Sequence, residues 1–146
     1  MGASLARWRS LSGRQKSQLV LLAIALPATG ALIRLVGFQK AAKVCARIGG
    51  QAPLRQTSAQ DLEDAQTFAS LAGIAGRRGP VTTTCLRQSL VVRAWLRRRG
   101  LDARLKIGVR KTGDAMDAHA WVELDGVALA QPKRDHAPFP APDLGA

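Results

Sequence analysis

The chain has 146 residues, of which 47% are hydrophobic, with 22 Lys and Arg against 10 Asp and Glu, two Cys, two His and no Tyr. A chain of this length buries roughly two thirds of the surface its unfolded form exposes, so it folds as one domain, residues 1–146, without disulfide staples or structural metal. Two Cys and two His cannot build a zinc-ribbon cluster, and high apolar content with dispersed Gly and Pro excludes collagen-like, coiled-coil and wholly disordered classes.

Residues 1–60 form a basic, apolar front: they hold nine Lys/Arg and no acid, while residues 61–146 hold 13 bases and all 10 acids. A field of that sign draws nucleic acid, anionic lipid or acidic peptide. Nucleic acid is disfavoured, because no helix-turn-helix cue is present and three Phe and three Trp make no stacking platform. The uncharged run from Ser17 to Ile33 falls below the roughly 20 residues a bilayer core requires, and Pro27 and Gly30 interrupt it. A secretory signal fits better, with Arg7, Arg9, Arg14 and Lys16 ahead of the apolar stretch. The plainer expectation is two core helices broken near Pro27, with peripheral membrane contact left open.

Ala41, Ala42, Val44, Cys45 and Ile48 recur at helical spacing until Gly49-Gly50 and Pro53 end the helix. This places Cys45 on an apolar face as a small core residue. Ser58 caps the next helix, acidic Asp61, Glu63 and Asp64 load its first turn, and Leu62, Ala65, Phe68, Ala69 and Ala72 form its stripe. Gly79-Pro80 forbids continuation. Leu86, Leu90, Val91, Ala94 and Trp95 then mark a helix capped by Thr83 or Thr84 and closed by Gly100, with Arg97, Arg98 and Arg99 at its negative end. Cys85 lies in its first turn, where unpaired N–H groups and the helix dipole favour an anion, which makes it a nucleophile candidate.

The period then changes from 3.6 to 2. Leu105, Ile107 and Val109 alternate with polar residues in one strand. A turn through Lys111 to Asp117 returns the chain as residues 118–124, with His119, Trp121 and Glu123 on one face. Asp125-Gly126 is a two-residue hairpin signal, and residues 127–130 make a third strand. The expected class is α+β: N-terminal apolar helices, then a Cys-bearing helix packed on a small antiparallel meander that carries the His. Thiol acyl-transfer enzymes of the papain and transglutaminase type are built in that order, with a third polar side chain orienting the imidazole.

Thr84-Cys85-Leu86, the Leu-Arg-Arg-Arg-Gly of residues 96–100, Ile107-Gly108-Val109-Arg110 and Ala118-His119-Ala120-Trp121-Val122-Glu123 together resemble the lasso-peptide leader peptidase family over about residues 81–130. The resemblance implies a transglutaminase-like cysteine protease core in residues 61–146, with Cys85 as nucleophile and His119 as general base. It implies a reaction that removes the leader from a ribosomally made precursor. The family places an Asp about a dozen residues after the His, where this chain has Gln131. A neutral amide can hold an imidazole but does not stabilise imidazolium as a carboxylate does. Strict pairing across the hairpin sets Gln131 opposite Ala120, away from His119, so a bulge is needed to bring it back; Asp117 and Asp135 are the substitutes. Glu123 is too distant, four strand residues or roughly 13 Å from His119.

The resemblance further implies three partners: the precursor leader, a small leader-recognition domain protein and an asparagine-synthetase-like cyclase. It implies a cytoplasmic setting without a Cys45–Cys85 disulfide, and no cofactor, metal or nucleic acid. The alternatives are a non-catalytic binding module on the same fold, or a basic peripheral protein of membrane or nucleic acid.

Overall fold

A computed structural model describes residues 8–78, 84–130 and 137–139. Four long helices precede a sheet: α1 (Gly13–Val36), α2 (Phe38–Gly49), α3 (Ala59–Arg78) and α4 (Cys85–Arg97), then β1 (Ala103–Thr112), β2 (Ala115–Leu124), β3 (Val127–Ala128) and β4 (Ala137–Phe139). The described strands form one antiparallel sheet in the order β3-β2-β1-β4. The chain therefore has the α+β architecture expected, with the Cys-bearing helix laid on the sheet.

Helix α4 is the axle of the fold. It packs on β1 and β2 with one face, while α1, α2 and α3 surround the rest of it. Leu22 and Leu26 of α1, Phe68 and Leu71 of α3, Val92 and Leu96 of α4, and Val122 and Leu124 of β2 share one core. Phe68 stacks on Trp95 with ring centroids 4.0 Å apart, and the Arg99 guanidinium lies 3.8 Å above the Trp95 ring. Arg97 lies 3.5 Å from Asp102, so two of the three consecutive arginines at the end of α4 are engaged within the fold.

The front differs from its expected form. Residues 13–36 make a single helix that runs through Pro27, and the break comes at Gly37, whose φ of +81° suits only glycine. Proline inside a helix costs about 3 kcal/mol. Gln18, Leu22, Leu26, Thr29 and Gly30 form one buried stripe across it, and burying a leucine contributes about 1.5–3 kcal/mol. Two such leucines and the contacts beyond the proline outweigh its cost. Gly30 lies so close to the Arg87 guanidinium that a Cβ there would sit 2.8 Å from its nearest nitrogen. The reading of this run as too short for a bilayer is also corrected, because it counted only uncharged residues. The 24-residue helix is about 36 Å long, and an 18-residue window with mean hydropathy 2.2 makes it long and apolar enough to cross a membrane.

Helix α3 begins as its sequence indicates. The Ser58 hydroxyl accepts from the Asp61 N–H at 3.1 Å, and the Asp61 carboxylate accepts from the Ser58 N–H at 2.9 Å. Arg55 donates two bonds of 2.7 Å to the same carboxylate and a third, of 3.0 Å, to the Arg99 carbonyl. Those donors hold the Asp61 carboxyl well below the usual carboxylate range.

In the sheet, β1 and β2 pair from Ala103 opposite Leu124 to Thr112 opposite Ala115. The expected turn over residues 111–117 is only Gly113-Asp114, because small and charged residues are tolerated on an exposed two-stranded arm. Asp125 and Gly126 both have positive φ, +49° and +77°, as a type I′ hairpin requires. The third strand ends at Ala128, short of the expected Ala130. Ala130 takes a φ of +49°, its N–H donates to Gln66 Oε1 at 2.8 Å, and Gln66 Nε2 donates to the Ala128 carbonyl at 3.4 Å. Strand β4, on the far side of β1, has no counterpart in the sequence reading, since Pro138 argues against a strand except at an edge.

Candidate active site

Thr84 is the N-cap of α4: its backbone is extended (φ −76°, ψ 156°) and its hydroxyl accepts from the Arg87 N–H at 3.5 Å. The alternative cap, Thr83, lies outside the described residues, as does Gly79-Pro80. Cys85 is the first helical residue, a free and partly exposed thiol whose own backbone N–H is among the four with no intrahelical acceptor. Leu86 beside it joins the small core of Ala42, Leu90, Leu105 and Ala120, which fixes the helix start against the sheet.

The other cysteine has a different setting. Cys45 is 7% exposed in that same small core, where burial pushes its thiol up and a hydrogen bond with Thr29 pulls the other way. It is a structural thiol.

His119 sits on β2 directly opposite Gly108 of β1. The facing residue carries no side chain, so β1 places none of its own directly across from the imidazole. The His119 and Trp121 rings lie on the same strand face, centroids 6.1 Å apart and inclined by 20°. Trp121 Nε1 donates to Glu123 Oε1 at 3.1 Å, and the other carboxylate oxygen lies 4.0 Å from Lys106 Nζ. Glu123 therefore serves the tryptophan, and the strand spacing keeps it from the imidazole.

Cys85 and His119 line one cleft of about 420 Å³. Its walls are the C-terminal half of α3, the first two turns of α4, and residues 119–122 of β2 with Leu129 and Ala130. Because residues from both faces of β2 contribute, the cleft runs along the strand's edge. Among the described residues, β3 pairs with β2 at Glu123 and Leu124, the Leu129 N–H adds a bond of 2.9 Å to the Val122 carbonyl, and Leu129 and Ala130 then line the cleft. Arg77 at the end of α3 lends the cleft a cation.

Of the proposed orienters, Asp117 lies on β2, exposed, opposite Arg110. Gln131 and Asp135 lie outside the described residues. The described ladder itself departs from strict hairpin pairing at Ala130, whose φ is +49°. Gln88 and Ser89 also line the cleft and were not singled out from sequence. The signal was available, since positions three and four after Cys85 share its helix face. Among the described residues, no three His, Cys, Asp or Glu side chains gather as a metal site.

A helix that opens on a thiol and lies across an antiparallel sheet, with an imidazole on the sheet's second strand facing the same cleft, is the layout of the transglutaminase and papain class of folds. The model of the transglutaminase-like superfamily matches residues 28–140, well over half of the chain. The chain belongs to that superfamily, which includes cysteine peptidases. No curated protein matches it, and no solved structure does.

Proposed function

We propose that the protein is a cysteine peptidase that removes the leader from a ribosomally synthesised lasso-peptide precursor. The observation that carries this reading is the shared cleft of Cys85 and His119 within the family-matched region. The four sequence motifs around these residues supply the choice of substrate.

In this reading His119 takes the Cys85 proton and the thiolate attacks the carbonyl carbon at the leader–core junction. The tetrahedral oxyanion is met by the Cys85 backbone N–H. As it collapses, the C–N bond breaks and the imidazolium returns the proton to the departing amine of the core peptide. Water, deprotonated by the same imidazole, then attacks the thioester and frees the leader as its carboxylate. Gln131 is the first choice to orient His119, with Asp117 and Asp135 as substitutes. The work is cytoplasmic, and a small leader-recognition protein and an asparagine-synthetase-like cyclase act beside the enzyme.

The test is incubation of the purified chain with a precursor peptide and the partner domain, read by mass spectrometry. Wild type releases leader and core, while Cys85→Ala and His119→Ala each lower turnover by about a thousandfold or more. Cleavage that survives both substitutions sinks the proposal. Binding of leader without cleavage by any form assigns the fold to a non-catalytic module instead.

A further inference from the structure

We infer that the outer face of α1, with the groove it borders, seats the protein on an anionic lipid surface. From Val20 to Leu35 the solvent-facing sector of α1 is largely apolar: Val20 is 53% exposed, Leu21 46%, Ile24 67% and Leu35 82%. Ile48 of α2, 55% exposed, faces the same side. Between the two helices runs an apolar groove of about 550 Å³ over Phe68, Val91 and Trp95. Soluble monomers rarely leave apolar surface so contiguous, and such patches mark interaction sites.

Charge selects the occupant. Lys16 and Arg34 border the apolar sector on α1, and Lys40, Lys43 and Arg47 form an exposed stripe on α2, about a quarter turn or more round the helix from Ile48. Among the described residues none of these five takes part in an ion pair, and no acid occurs before Asp61 to neutralise them. Arg14 is different, being held by Asp64 at 2.7 Å. Trp8, 43% exposed just ahead of α1, is a residue type that settles at headgroup level. A protein partner would have to match an apolar ridge about 23 Å long, from Val20 to Leu35, and a cationic margin together. An anionic bilayer offers both at every point. The helix lies along this surface rather than across it, because its inner stripe, including Gln18 and Thr29, is buried against α3 and α4.

Flotation of the purified full chain with vesicles tests this, comparing phosphatidylcholine alone with phosphatidylcholine mixed with phosphatidylglycerol. The chain is expected to float with the mixed vesicles, about tenfold less with neutral ones, and less as salt is raised. Ile24→Glu with Leu35→Glu is expected to lower binding by about tenfold or more, since each removes an exposed apolar anchor that the bilayer would bury. Neutralising Lys40, Lys43 and Arg47 to Gln is expected to lower it about fivefold per charge. All these side chains are exposed, and circular dichroism checks that each variant folds. Absence of flotation, or equal flotation of the Glu variant, overturns the inference. So does self-association that Ile24→Glu abolishes without any vesicle binding, which gives the face to a second copy. Resistance of the bound chain to alkaline carbonate extraction overturns the surface-lying arrangement in favour of a span.

Discussion

The two cysteines stand on helices that pack together and border the same small core, yet one is nearly buried at the floor of the α1–α2 groove and the other opens onto the cleft it shares with His119. Cys45 is in the middle of α2, surrounded by apolar side chains that disfavour its charged form. Cys85 is the first residue of α4, where the backbone itself supplies unpaired donors and the side chain reaches an imidazole-lined wall. Position along a helix, rather than residue type, separates the buried thiol from the one that faces the cleft.

The sharpest way to break that contrast is activity. Cys85→Ala is expected to remove precursor cleavage by about three orders of magnitude, while Cys45→Ala leaves kcat/KM within about twofold. An equal loss in the two variants, with both still folded, would mean that the contrast has no chemical consequence. Reactivity comes next: under native conditions a maleimide is expected to label Cys85 about a hundredfold faster than Cys45, read by peptide mass spectrometry. Comparable labelling rates would show that the small core opens readily. Stability reverses the order of the two sites, since Cys45→Ala leaves a small void and is expected to cost about 1–2 kcal/mol, lowering Tm by about 3–6 °C. Thr84→Ala, which removes a cap whose bond is already long at 3.5 Å, is expected to cost about 0.5 kcal/mol.

The smallest effect is a pH dependence. The Asp61 carboxyl titrates lower in the folded chain than in the unfolded one, so its stabilisation is complete above about pH 4 and is lost as pH falls below that. Acid is therefore expected to speed labelling of Cys45 by a pyridyl disulfide, and Asp61→Asn to weaken that acid response. An unchanged response in Asp61→Asn would place the acid sensitivity elsewhere.

Much of this arrangement was legible in the residues. The cap at Ser58, the apolar stripe of α3 and the change of period after Gly100 each announce an element through local physics alone. The register that puts His119, Trp121 and Glu123 on one face follows from strict alternation and a type I′ turn. Features set by tertiary packing were not legible. Pro27 reads as a break because local propensity weighs it alone, whereas the stripe from Gln18 to Gly30 is rewarded only once α3 and α4 are in place. The short Gly113-Asp114 turn is hidden by an arm with little core contact, and β4 is hidden by its proline. In the candidate site, the cleft-lining thiol and imidazole are announced by a helix start and a strand face. The end of the third strand is not, because Ala130 leaves the ladder in a conformation that nothing in its own side chain foretells.

Gln66 explains how that departure is held. Its amide accepts from Ala130 and donates towards the Ala128 carbonyl, so a side chain of α3 substitutes for the missing neighbour of a strand. It behaves as one more peptide group of the sheet, borrowed from a helix. Glutamate in its place would keep the acceptor and lose the donor, and the stretch from Ala128 to Ala130 would lose half of its mooring.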